Sequence, residues 1–292
     1  MDIKTIFKTA SSDWVRYSEY EFAKAKDGEQ YITPKSDAAA SIYNPLDVTD
    51  TLLVDALNIG KLLYDKAPDI KKVEHLLIVF AKKYGLLGFM PAMPLNSSFF
   101  EQGDVYLGKY ADMGKKTMPT KEYMDMFLPF DVKQNQPGNV SMFPLALVTG
   151  KSLVYEVVFS RNYSEKLEWQ LRFFKGLFTH FGACFYYDKI DNPVMKSAYS
   201  EEISDFKNYG LGYNIRMLDK PTIVWDFNSL KTALETVYGF TVTSDDNPLK
   251  ICKHCGTVFY AQNRKSEFDK PQCRNQYNVY KNRKSTKPKI SK

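Results

Sequence analysis

The stretch SEKLEWQLRFFKGLFTHFGACFYYD, residues 164 to 188, decides how the rest of the chain is read. Leu167, Leu171, Phe174, Leu177, Phe178 and Phe181 recur at spacings of three and four, so in a helix they form one broad apolar face. A face that wide and aromatic belongs in a core, and the segment is expected to be the central helix. His180 and the rings around it are read as core rather than as pocket lining. Cys184 reads as a small buried hydrophobe.

Partners for that helix lie on either side. NPLDVTDTLLVDALNIGKLLYDKA (44–67) places Leu52, Leu53, Ala56, Leu57, Ile59, Leu62 and Leu63 at helical spacing, with Asp47, Thr49 and Asp50 as candidate caps and Pro68 closing the run. Gly60 sits inside this pattern as an interruption. KKVEHLLIVFAKKYGLLG (71–88) brings Val73, Leu76, Leu77, Phe80 and Ala81 to one face and stops at Gly85 or Gly88; His75 within it carries no assigned role. SLKTALETVYGFTV (229–242) reads as a helix capped by Ser229, and TIVWDF just before it as a short strand. Near the start, EYEFAKAKDGEQYITP turns at Asp27-Gly28 and reads as a β-hairpin. Residues 90 to 150, rich in Met, Pro, Gly and rings, read as a long irregular connection with short helices.

The chain has 292 residues, 44% hydrophobic and 15% aromatic, enough for a sizeable core. No run of about 18 uncharged apolar residues occurs and the N-terminus carries no apolar leader, so neither a membrane partner nor a signal peptide is expected, and the cytoplasm is the default location. Gly85/Gly88 and Gly210/Gly212 are too sparse for a phosphate-cradling loop, and no nucleophile with an adjacent base is recognisable. An enzyme is therefore not expected.

Charge divides the chain at SDDNPLKI (244–251). Residues 250 to 292 carry nine Lys and three Arg against Glu267 and Asp269, a net of +10, while the whole chain is +6 and the preceding 249 residues are therefore at −4. Three of the four cysteines lie in this basic segment, within CKHCGTVFYAQNRKSEFDKPQCRNQYNVYKNRK (252–284). Cys252-Lys-His-Cys255-Gly256 has the form of a zinc knuckle, in which two thiolates three positions apart share one metal and a glycine relieves the turn. Cys273 is the obvious third ligand, and Asp269, four residues before it, is an acceptable oxygen donor for the fourth position. Completion by water, by His254 or by another chain, and a metal-free knuckle held by packing, remain open beside this set. Zinc here would be structural, because a short basic finger has too small a core to fold without a staple. Phe259 is expected to pack beneath the metal. After Cys273 a helix would turn Cys273, Tyr277 and Tyr280 toward the knuckle and Asn275, Asn278 and Asn282 away from it, flanked by Arg274, Lys281 and Arg283, with Lys284 at the far end. Cations and amides so arranged can neutralise phosphates and reach base edges, whether of DNA or of RNA.

The run Cys273-Arg-Asn275, followed by a basic helix, and the knuckle with Gly256 and Phe259 resemble the CGNR-type zinc finger. That finger closes bacterial proteins regarded as stress-induced transcription regulators, behind an α-helical N-terminal domain. The likeness covers about 35 residues and departs at Arg274, Gln276 and Asp269, where the family pattern has Gly, Arg and Cys. It implies a DNA-binding tail on a helical sensor or scaffold. The chain is thus expected to be mainly α with a small β component. Residues 1–247 form a helix-rich domain with an N-terminal β-hairpin, 248–284 a ribbon-like zinc-finger module, and 285–292 a basic flexible tail. The expected function is transcription regulation through DNA binding by the finger. The alternative is a protein-interaction or scaffold role in which the finger is only a folding staple.

Overall fold

The computed structural model describes residues 13–90, 104–106, 117–130, 157–208, 211–227, 229–261, 263 and 265–285. Four short strands, β1 (Trp14–Tyr17), β2 (Tyr20–Lys24), β3 (Gln30–Pro34) and β4 (Ala40–Tyr43), precede helices α1 (Thr49–Tyr64) and α2 (Ile70–Tyr84). Next come β5 (Asp104–Tyr106), β6 (Thr117–Pro119), α3 (Thr120–Asp125), β7 (Glu165–Lys166), the long α4 (Leu167–Tyr186) and α5 (Pro193–Ser204). A ribbon of β8 (Leu211–Met217) and β9 (Pro221–Phe227) leads to α6 (Leu230–Val242), and β10 (Leu249–Ile251), β11 (Val258–Tyr260) and α7 (Pro271–Ser285) complete the order. The architecture is α+β, mainly helical with small antiparallel sheets. Among the described residues no helix is long and apolar enough to cross a membrane.

The core forms where α4 packs on α1, and Gly60 explains how closely. A Cβ at that position would lie 2.1 Å from the Phe174 carbonyl oxygen and 2.7 Å from Phe178 Cβ. The glycine that interrupts the apolar pattern in sequence is therefore the point at which two helix backbones meet. Phe80 of α2 stacks edge-on against Phe174, ring centroids 5.0 Å apart, and Leu230, Ala233, Leu234 and Val237 of α6 join the same buried cluster. His180 is buried too. Its Nε2 lies 3.1 Å from the Ile203 carbonyl, to which it donates, and its Nδ1 shares a hydrogen bond with the Tyr238 hydroxyl. Cys184 Sγ stands 3.7 Å from the same Nδ1, and burial pushes its thiol pKa up. Cys184 is therefore a half-buried thiol beside a core histidine rather than a fully buried hydrophobe.

The ends of α2 and the start of α6 follow the local chemistry. Asp69 caps α2 by accepting from Lys72 N at 3.1 Å, and Gly85 ends it at φ +87°, its N–H donating to Ala81 O at 2.7 Å. Ser229 accepts from Thr232 N at 3.0 Å to cap α6. At α1, however, none of Asp47, Thr49 or Asp50 is the cap. Asn44 accepts from Leu46 N and opens a 3₁₀ turn over Pro45–Val48 that runs directly into α1, where Val48 holds the cap position without a side-chain bond. The turn already places carbonyls ahead of the first amides of α1, so no side chain is needed there.

The expected hairpin is β2–β3, with Tyr20 opposite Pro34 and Lys24 opposite Gln30, turning at Gly28 with φ +86°, and β7 adds to it through Ile32 and Glu165. Beside it β1 pairs with β4. Most of the connection between 90 and 150 lies outside the described residues; within it are the β5–β6 pair and α3.

A buried carboxyl group organises this body. Glu165, fully buried, accepts hydrogen bonds from Leu87 N (3.1 Å), Gly88 N (2.5 Å), the Tyr163 hydroxyl (2.9 Å) and Gln170 Nε2 (2.7 Å). It thereby ties the turn after α2 to the start of α4. The same turn is held from the other side, where Trp14 Nε1 donates to Leu86 O and Lys231 N to Leu87 O.

Candidate metal centre

The C-terminal residues build their site in three steps. First, β10 and β11 pair with Leu249 opposite Tyr260 and Ile251 opposite Val258, and Cys252 N donates to Thr257 O while Gly256 N donates back to Cys252 O, both at 2.9 Å. Gly256 takes φ +72°, a left-handed conformation that glycine adopts at no steric cost, and the turn is the knuckle that the cysteine spacing requires. Second, Lys253 N donates to Glu267 O at 3.0 Å, and the Lys253 ammonium meets the Glu267 carboxylate at 2.5 Å, which zips the returning chain to the knuckle. Third, α7 begins at Pro271, whose fixed φ suits a first helical position, and carries Cys273 on its first turn.

The result is a cluster of Cys252, Cys255, Asp269 and Cys273 whose ligand atoms all lie within 4.8 Å of one another. Cys255 and Cys273 sulfurs are 3.8 Å apart, and all the cysteines are free thiols. Two thiolates bound at about 2.3 Å to one tetrahedral zinc would stand about 3.8 Å apart, so the spacing fits a shared ion. Asp269 Oδ1 is buried with no hydrogen-bond partner, while its Oδ2 lies 3.8 Å from the largely exposed Lys270 ammonium. A buried carboxylate oxygen without a donor is costly unless something fills its lone pairs, and a cation among three sulfurs would do so. Burial and the adjacent Asp269 push the Cys273 thiol up to about 12. At Cys255 burial also works upward but is outweighed by hydrogen bonding with Thr257 through side chain and backbone, leaving that thiol below its ordinary value. Such a donor set must shed protons to take an ion, so its affinity rises with pH.

The structure brings Asp269 to the three cysteines as a fourth candidate donor, and His254 is not part of that cluster. The His254 ring stacks on Tyr280, centroids 5.9 Å apart and planes 15° apart, in contact with the helix instead of the sulfurs. Tyr277 packs on Phe268 at 5.2 Å. Phe259 is half-buried; the strand residue that enters the core is its neighbour Val258, because successive residues of a strand face opposite ways. Arg274, Asn275, Asn278 and Lys281 are exposed on α7. The helix continues through Arg283 and Lys284, whose side chains lie outside the described residues.

Sequence reading missed how firmly this hairpin is held. Asn58 of α1 donates through Nδ2 to Val258 O (2.9 Å) and accepts from Val258 N through Oδ1 (2.8 Å), pairing with the strand as another strand would. Leu249 and Val258 are buried in the same cluster as α1, and a Cβ on Gly256 would meet Lys61 Cε at 2.9 Å. Nothing in a lone helical asparagine signals such a contact. Beside the knuckle, a cavity of about 470 Å³ between α1, α4 and α5 is lined by Tyr64, Phe178, Tyr186, Tyr199, Glu202 and Ile251 among others.

Comparison with protein-family models, curated proteins and solved structures returns no match. The cluster itself is consistent with a zinc-finger-like module able to hold a metal ion.

Proposed function

We propose that residues 248–284 form a structural zinc module that binds nucleic acid, DNA foremost, and that the chain is a cytoplasmic regulator of transcription of the CGNR-finger kind. One observation carries the reading: the ligand cluster lies at the first turn of a helix whose exposed residues include Arg274, Asn275, Asn278 and Lys281, beside Val279 and Tyr280. Cys252, Cys255, Cys273 and Asp269 would hold the ion. When bound, it would supply a cross-link and no reaction, in keeping with a segment lacking a positioned base. Arg274 and Lys281 would then meet phosphates, and Asn275 and Asn278 the bases or sugars between them, with Arg283 and Lys284 extending the contact.

A second reading has its own support. Asn58 and the buried Val258 fasten the finger to the helical body, so the module also acts as a staple, and its basic helix then presents an interaction face for an acidic protein surface. Fluorescence anisotropy of the full chain with mixed-sequence duplex and single strands separates the two. On the first reading, duplex binds at low salt with affinity falling steeply as salt rises, and Arg274→Ala and Lys281→Ala each lower the salt slope by about one. Absence of binding at the lowest salt, where phosphate contacts are strongest, rejects the nucleic-acid reading and leaves the staple.

A further inference from the structure

The ribbon β8–β9 has an order that the metal module does not explain. Its register sets Leu211 opposite Phe227, Tyr213 opposite Trp225, Ile215 opposite Ile223 and Met217 opposite Pro221. Every one of these pairs is apolar, and all eight residues share one face, since side chains alternate along a strand. The other face carries Gly212, Asn214 and Arg216 against Thr222, Val224 and Asp226. At its root the ribbon meets α6, and Phe227 is buried there. Toward its tip the apolar face is open to solvent: Tyr213 is 63% exposed, Ile215 72%, Met217 75% and the turn residue Leu218 57%. Val224 on the other face is buried, so the ribbon has one covered side, and four exposed apolar side chains on its remaining side are unusual for a strand pair in water.

We infer that β8–β9 is a dimerisation arm, whose apolar face packs against the same face of a second copy of this chain about a twofold axis. Two considerations select a second copy. The exposed side chains of the outer half offer on the order of 600 Å² of apolar area, at the upper limit for the largest patch of a monomer and close to the roughly 800 Å² per partner of a standard interface. The ribbon is also neutral, Arg216 and Lys220 balancing Asp219 and Asp226, so no excess of either sign selects a polyanion or a polycation. A regular row of alternating apolar residues on a neutral ribbon is complementary to itself, as an isologous interface demands.

Molar mass by light scattering of the full chain, followed over a range of micromolar concentrations, tests this independently of any nucleic acid. The wild type is expected at twice the chain mass. Ile215→Asp combined with Met217→Asp should raise the dissociation constant by about 100-fold or more, as loss of central apolar anchors does, with metal content and circular dichroism unchanged. Asn214→Asp, on the opposite face, should leave the dimer intact. A wild type that stays monomeric throughout overturns the inference even if the double variant fails to fold. So does a dimer that survives the double variant, or one that Asn214→Asp disrupts equally. Monomer that sediments with anionic phospholipid vesicles would assign the face to a lipid surface and overturn it as well.

Discussion

Two regions of this protein gather acidic or thiol groups, one in the core and one nearer the surface, and they satisfy them in opposite ways. Around Glu165 the chain supplies its own partners: two backbone amides, a tyrosine hydroxyl and a glutamine amide converge on one carboxylate. Around Cys252 it does not. Three thiols and a carboxylate converge on one another, all acceptors once deprotonated, and Asp269 Oδ1 has no donor. Glu165 finds its partners within the protein, whereas the second cluster is a set of donor atoms close enough together to share a cation. The helical body should therefore fold without metal, and the C-terminal module should not.

The largest effect expected from that contrast is on metal removal. Binding energies for structural zinc in small modules are about 10–16 kcal/mol, far beyond what the sparse contacts of α7 can replace. Chelation, or Cys252→Ser, should release the metal, lower the helical signal by the share of α7 and expose residues 261 to 285 to protease. The cooperative unfolding of the body should persist. Protease resistance of α7 in fully chelated protein would break the contrast, since packing alone would then hold the finger.

Next in size is the converse experiment. Glu165→Ala leaves Leu87 N, Gly88 N, the Tyr163 hydroxyl and Gln170 Nε2 without their shared acceptor. Each buried donor left without an acceptor costs about 1–3 kcal/mol, to be read from urea unfolding. Metal content should not change. Loss of metal together with stability would show that the two regions are one cooperative unit.

The two regions also differ in how far residues alone reveal them. The ligand set was legible because a metal fixes residue type and spacing together: a CxxC knuckle, a third cysteine and an acid four positions earlier came together as that chemistry requires. The helices α1, α2 and α4 were legible for a similar reason, each burying one face over three or more turns, whereas α6 is buried almost all round and was marked by its Ser229 cap. Glu165 was not, because its partners come from positions 87, 88, 163 and 170, and two of them are backbone amides with no residue identity to read. Helix α5 buries none of its residues, so no periodicity announces it. The strands β1 and β4, four residues each, are too short for alternation to be distinctive.

The smallest effect concerns the protonation of the Glu165 cluster, and it decides in what sense that region is self-sufficient. Burial raises the Glu165 pKa, while Gln170, the Gly88 and Leu87 amides and Tyr163 all pull it down. Where burial prevails, the folded protein holds the proton more tightly than the unfolded chain does. The stabilisation is then complete below the ordinary carboxylate range and is lost as pH rises through the higher folded value. Glu165→Gln cannot titrate, so the unfolding free energy of the wild type minus that of the variant should fall with rising pH, by at most about 1.4 kcal/mol per unit. All other groups are the same in both proteins and cancel in the difference. Parallel pH curves would mean that the folded and unfolded values coincide. A difference that grows with pH would mean that the four donors outweigh burial and keep an ion there, which would make the Glu165 cluster a charged site completed by protein alone, the direct counterpart of the one that needs a metal.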